Sequence, residues 1–314
     1  MALKQVLEIL DLLERDVIEK EIVENYFFSK GLDKQNLVLQ PVKGEKGETT
    51  FIKIQMQGTN GRSTGGPSPT LGIIGRLGGI GARPDKIGLV SDADGAIAAL
   101  ACASTICNLN RKGDSLKGDV IISTHLSPSS PIIPHDPVPF MDAPVTIETM
   151  NKYEVDERME AILSLDATKG NRIINRRGFA ISPTVKNGYI LRVSEDLLDI
   201  MQAVTGKLPE VFAITQQDIT PYGNDLYHLN SIMQPGTATE APVVGIAITA
   251  EIAVAGCATG ANQCLDIEMA VRFVVEVAKA WGGGQCSLFN EQEFQRLLSL
   301  YGSLDQFKTF GNRK

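Results

Sequence analysis

Several short apolar runs in this chain lead directly into residues that can do chemistry. Residues 71–75 lead into Arg76, 87–90 into Ser91-Asp92-Ala93-Asp94, and 119–123 into Thr124-His125. Residues 162–165 lead into Asp166, and 243–248 lead into Thr249, Glu251 and, further on, Cys257. Asp92 and Asp166 are potential metal ligands, and His125 can supply a third ligand or act as a general base. One divalent metal, zinc for instance, held by Asp92, Asp166 and His125 is therefore one arrangement. In a second, Arg76 takes the place of the metal. Its guanidinium presents five donors, stays protonated and can bridge two carboxylates with charge-assisted hydrogen bonds. Without a cation, two close buried carboxylates repel and one takes up a proton. Arg76 can equally orient a substrate carboxylate. Asp94, Thr124, Glu251 and Cys257 are candidate substrate contacts, and Asp94 is as close a neighbour of the following helix as Asp92, so the register is open by two residues. Plainer roles stand beside these. Asp92, Ser91 or Asp94 can cap a helix, Asp166 can form an Asx-turn, and His125, His135 and His228 can be structural.

Such residues need elements to position them. Leu3, Val6, Leu7, Leu10, Leu13 and Val17 recur at helical spacing, so residues 3–31 read as one or two helices. Alternation predicts a half-exposed strand over 50–57, and Gly, Ser and Pro predict a loop over 58–69. Buried strands are expected at 71–75, 87–90, 119–124 and 243–248, with a further strand at 210–215. A helix over 156–163 is expected to run towards a strand at 162–166. Helices are also expected at 94–108, 196–205, 225–233 and 291–301, and along the stripe Ile267, Ala270, Val271, Val274, Ala278, Trp281. Lys186-Asn-Gly188 signals a hairpin within 177–193. The proline-rich stretch within 126–150 reads as an ordered irregular loop over the site. Alternating strands and helices predict one α/β domain spanning 1–314, a three-layer α/β/α sandwich with a mostly parallel central sheet. In such sheets ligands bind at the carboxyl ends of the strands, where the residues above fall.

The 314 residues are enough for a large core, and the net charge of -7 argues against a nucleic-acid partner. No apolar run approaches the roughly 20 residues that span a bilayer, which argues against a membrane partner. The N-terminus opens an amphipathic helix without a signal-peptide core, so the expected compartment is the cytoplasm. Five cysteines in this length make no disulfide framework. Cys102 and Cys107 fall in a helical pattern, and Cys257 and Cys264 in a Gly-rich loop and the helix start after it. Gly-x-Gly-x-x-Gly and Walker A patterns are absent, so no nucleotide cofactor is suggested. The Gly-rich segment 256–261 can bind an anion through backbone N–H groups but is too unspecific to read as a phosphate loop.

The order of these segments resembles the cocatalytic zinc aminopeptidases of the glutamyl and tetrahedral type over residues 1 to 285. Where that family has His-x-Asp-Glu-Ile-Gly, this chain has Arg76-Leu-Gly78-Gly79-Ile80-Gly81. Asp92, before Gly95-Ala-Ile-Ala-Ala-Leu100, resembles the bridging aspartate. Thr124-His125-Leu126 stands at the Glu-Glu pair, so the resemblance puts His125 at the base and Leu126 at a ligand. Leu165-Asp166-Ala-Thr168 matches an aspartate ligand. Asp266-Ile-Glu-Met-Ala270 matches the last helix start, and Gly256-Cys257 stands where its histidine is expected. The inserted lid domain of many such peptidases has no counterpart. The whole chain is also similar to a bacterial and archaeal family of unknown function. The resemblance implies a hydrolase-like enzyme acting on a small amino-acid or peptide-like substrate with a degenerate metal site, in a homo-oligomer. The alternatives are a non-catalytic, small-molecule-binding pseudopeptidase and a structural subunit of an oligomer. The missing ligands predict that ordinary two-zinc peptidase activity is absent or very weak.

Overall fold

The computed structural model describes residues 2–15 and 17–311. Two helices open the chain, α1 (Leu3–Leu13) and α2 (Lys20–Ser29), with Val6, Ile9 and Leu13 buried at helical spacing. A hairpin follows, β1 (Leu37–Gly44) with β2 (Gly47–Met56), and then β3 (Leu71–Gly75), α3 (Asp94–Arg111) and β4 (Val120–Leu126). The proline-rich stretch contains a two-residue ladder, β5 (Ile132–Ile133) with β6 (Phe140–Met141), and ends in α4 (Ile147–Glu154). Beyond it lie β7 (Ala161–Thr168), β8 (Gly178–Ile181), β9 (Val185–Lys186), β10 (Tyr189–Ile190) and α5 (Glu195–Thr205). The last elements are β11 (Val243–Thr249), α6 (Cys264–Gly282) and α7 (Glu291–Tyr301).

One sheet runs in the order β1-β2-β4-β3-β7-β11-β9-β10, with β8 also paired to β11. Its centre, β4-β3-β7-β11, is parallel throughout, and β2 and β8 join antiparallel. The apolar runs that predicted these four strands thus lie side by side, buried on both faces as a covered parallel sheet requires. The pleat sends alternate residues to opposite faces. Ile73, Ile122, Leu163 and Ile246 pack with α1, α3, α5 and α6, whereas Ile74, Ile121, Ile162 and Val243 pack with Phe212, Ile232 and Met233. The second covering layer is made of α4 and 3-10 turns at Gln217–Ile219 and Ser231–Thr237. The architecture is α/β, with a mostly parallel central sheet between flanking layers.

Five local expectations need correction. Residues 156–159 form a turn in which Asp156 accepts from the Arg158 N–H and pairs with Lys53, and the helix lies upstream as α4. Residues 225–230 are irregular because the Asp218 carboxylate gathers the N–H groups of Thr215, Leu229 and Asn230, competing with helix formation. Residues 87–90 and 210–215 contribute single bridges, Val90 to Thr259 and Val211 to Ile181, rather than strands. The proline-rich stretch is not wholly irregular, since it holds the β5–β6 ladder and the start of α4. The hairpin over Asn187 and Gly188 forms, both residues having positive φ as a type I′ turn requires.

Asp119, at the foot of β4, pins the Gly/Ser loop: its carboxylate accepts from Gly58 N–H at 2.8 Å, Ser63 N–H at 2.7 Å and Ser63 Oγ at 2.8 Å. Asp119→Ala strands these donors and is expected to cost about 2–3 kcal/mol in urea unfolding, with proteolytic nicking appearing first within 58–69.

Candidate functional site

The carboxyl ends of β3, β4 and β7 meet under α4 and the start of α3. Gly95 allows this closeness, because a Cβ there would lie 2.5 Å from the Arg76 carbonyl oxygen and 2.8 Å from that of Leu165. Arg76, the first residue after β3, is fully buried. Thr146 caps α4 by accepting from the Thr149 N–H at 3.3 Å, and the helix turns Met150, Asn151 and Glu154 towards the guanidinium. Arg76 Nε lies 3.1 Å from Glu154 Oε2, Nη1 lies 3.7 Å from Met150 Sδ, and Nη2 donates to Asn151 Oδ1. Asn151 Nδ2 in turn donates to the Gln234 carbonyl and to Thr237 Oγ1, both at 3.1 Å, which fixes the amide. Burial works against the charged form of Arg76, and the charges of Glu154 and Asp166 work for it.

Glu154 also holds His125. Imidazole Nδ1 is 2.5 Å from Glu154 Oε1, and Nε2 accepts from the Gly78 N–H at 3.1 Å. This is the neutral ring with its proton on Nδ1. Both nitrogens are engaged, so the expected roles of His125 as general base and as metal ligand do not fit: its acceptor lone pair already faces a backbone donor. Gly78 is needed for this geometry, since a Cβ there would collide with the His125 carbonyl oxygen.

The two aspartates after β3 separate cleanly. Asp94 pairs with Lys169 Nζ and accepts from Asn262 Nδ2 at 2.6 Å. Asp92 sits in the 3-10 turn Ser91–Ala93, which is tied to the Gly-rich loop by Ser91 N–H to Ala258 O and Asp92 N–H to Gly256 O. Its carboxylate accepts no hydrogen bond among the described residues, and a Cβ at Gly256 would come within 2.6 Å of both its oxygens. Burial, reinforced by the Asp94 charge and opposed by Lys169, pushes the Asp92 carboxyl up to about 7. Asp166 accepts from the Ala167 N–H at 2.7 Å and from Ser231 Oγ at 3.0 Å. Burial, followed by the Asp92 charge, pushes its carboxyl up to about 8, against the pull of those two hydrogen bonds and of Arg76. Burial and the Asp166 charge also push the Tyr222 phenol above its ordinary value. The aspartate whose charge acts on Asp166 is thus Asp92, whereas Asp94 is taken up by Lys169 and Asn262.

The remaining candidates fall elsewhere. Thr124 Oγ1 donates to the Gly75 carbonyl at 2.9 Å and is buried within the sheet. Cys257 is buried among Ala82, Val90, Ile132 and Met141, so the proline-rich segment packs on the Gly-rich loop at this point. Glu251 is exposed and lines a different cleft. These three do not join the Asp92–Asp166 cluster. His135 stacks on Phe140 with ring centroids 3.6 Å apart, and His228 on Tyr222 at 4.4 Å.

The charges balance only in part. Arg76 is matched by Glu154 and Lys169 by Asp94, which leaves the buried Asp166 and the half-buried Asp92 as carboxylates without a paired cation among the described residues. A cocatalytic metal pair does not fit this donor set: Arg76 and Gly78 supply no ligand, His125 is committed, and Asp94 is held by Lys169. Among the described residues, no three His, Cys, Asp or Glu side chains converge on a metal position. Sequence reasoning missed Glu154, Asn151, Lys169, Ser231 and Tyr222. The capped spacing Met150, Asn151, Glu154 and the lysine three residues after Asp166 were the available signals.

No curated protein matches the chain in sequence. Among solved structures it is similar to the "Bottromycin maturation enzyme BotP", at 13% identity and a TM-score of 0.57, over 90% of this chain and 70% of that one. It is also similar to "Bottromycin maturation enzyme BotP in complex with Mn", at 13% identity and a TM-score of 0.55, over 90% and 71%. At this identity the likeness is one of fold. The family model that matches, over residues 40–311, is described as "Protein of unknown function (DUF1177)", and the chain belongs to that family.

Proposed function

We propose that this protein is a small-molecule-binding pseudopeptidase. On this reading a hydrolase-like scaffold keeps a ligand site at the carboxyl edge of its sheet and lacks the two-metal reaction. The observation that carries it is the Asp92–Asp166 pair, one carboxylate half-buried and the other buried, left over once Arg76 and Lys169 have taken Glu154 and Asp94. A ligand ammonium meets that surplus. It presents three donors to carboxylate oxygens and replaces the proton that the pair, with its raised pKa values, retains near neutral pH. The ligand class is a small amino-acid or peptide-like amine. Hydrolysis is disfavoured because the imidazole best placed to activate water is held by Glu154 and Gly78.

Calorimetric titration of chelator-treated protein with leucine amide tests this reading. The expected result is saturable binding that releases protons at pH 6.5 and is lost in Asp92→Asn, with no turnover of leucyl-anilide. Turnover that appears with stoichiometric zinc or manganese, or a failure of amine ligands to bind while a divalent metal does, overturns it.

A further inference from the structure

We infer a second ligand site, a cleft of about 500 Å³ between β8, the end of α5 and the first turns of α6, suited to a zwitterion with an apolar body such as an apolar dipeptide. The volume lies within the range of small-molecule pockets. Its floor includes Phe179 and Met201, both buried, with Met269 beside them. Its rim carries Lys207 and Glu251, and among the described residues neither the Lys207 ammonium nor the Glu251 carboxylate has a hydrogen-bonded or ion-paired partner. The other rim charges are already matched: Arg176 lies 3.3 Å from Glu210, and Arg177 Nε lies 3.2 Å from Asp266. One free cation and one free anion over an apolar floor complement a ligand carrying both signs, and a single-sign amphiphile leaves one of them unmatched.

A second observation marks the same place. Leu208, Ile252 and Leu265 are 80%, 72% and 58% exposed, and each lies on the cleft wall or within four residues of a residue that lines it. Large exposed apolar side chains gathered at one cleft are a mark of binding surfaces. The ligand ammonium would meet Glu251, its carboxylate would meet Lys207, and its side chains would cover the methionines. This inference does not rest on the Asp92–Asp166 reading.

The test is calorimetric titration of leucyl-leucine into Asp166→Asn protein, in which the strand-edge site lacks half of its anion. Saturable binding is expected. N-acetylation of the dipeptide should weaken it about tenfold, and this penalty should vanish in a further Glu251→Gln variant. Amidation of the carboxylate should weaken it by a similar factor, and that penalty should vanish with Lys207→Gln. Both substitutions are on exposed side chains and leave the core intact. Blocked and free dipeptides binding alike, or variants behaving like the parent, overturn the inference. Binding that exists in the parent but disappears in Asp166→Asn also overturns it while leaving the strand-edge site standing. Binding kept in Asp166→Asn and lost with Lys207→Gln supports the cleft even if the strand-edge site takes no ligand.

Discussion

Replacing Arg76 by leucine is expected to destabilise the protein by about 3–5 kcal/mol, read as the loss in urea unfolding at pH 7. The guanidinium is fully buried and, among the described residues, is the only Lys or Arg paired to Glu154, which is itself completely buried. Removing it leaves a carboxylate in a low-dielectric site with only the Nδ1–H of His125 as donor, and leaves Asn151 Oδ1 without its partner. The cost therefore comes from the groups left behind, and a second change should recover much of it. Arg76→Leu combined with Glu154→Gln, which keeps an acceptor for His125, is expected to lie well above the single variant. The coupling between the two positions should be on the order of 1–3 kcal/mol. Additive losses would mean that the pair contributes little beyond packing.

Asp166→Asn is expected to stabilise the protein at alkaline pH while removing ligand binding at the strand edge. Asp166 and Asp92 both hold their protons more tightly folded than unfolded: burial and the Asp92 charge push the Asp166 carboxyl up to about 8, and burial and the Asp94 charge push the Asp92 carboxyl up to about 7. The folded state then binds more protons, so stability is full near pH 4 and falls as pH rises towards 8, by up to about 1.4 kcal/mol per pH unit for each group. The groups facing Asp166 are Asp92, Arg76, Tyr222 and Ser231. Asparagine removes the charge whose burial is unfavourable. Parent and variant unfolding free energies should be close at pH 4.5 and diverge in favour of the variant by pH 8.5, by on the order of 2–4 kcal/mol. Parallel stability curves across that range would contradict the assignment of Asp166 as a carboxyl that burial keeps protonated.

The fold was legible because a covered parallel sheet writes itself into sequence as short, continuous apolar runs. The runs expected at 71–75, 119–124, 162–166 and 243–248 fall on four strands of one sheet, with Asp119 alone lying just outside. The positions of Arg76 and Asp166 at strand ends were legible for the same reason, whereas the run before Asp92 makes only the Val90–Thr259 bridge. Glu154 was not, because α4 follows a proline-rich stretch and its three inward residues are of mixed type, Met150, Asn151 and Glu154. Lys169 was hidden by sitting beyond the strand that places it. His125 shows a different limit: residue type and position marked it correctly as a strand-end histidine, but only the Gly78 N–H and Glu154 decide that its ring is already engaged.

Arg76 has a consequence for supply. A bound ion stabilises a protein by an amount that depends on its free concentration, and a chelator can remove it. A guanidinium built into β3's end has unit occupancy from the moment the chain is made. The pairing of Arg76 with Glu154 is intramolecular, so its strength is independent of protein dilution and of the metal content of the surroundings. The Arg76–Glu154 pairing therefore has no loading step, and the loss caused by Arg76→Leu should be the same in chelator and in metal-rich buffer.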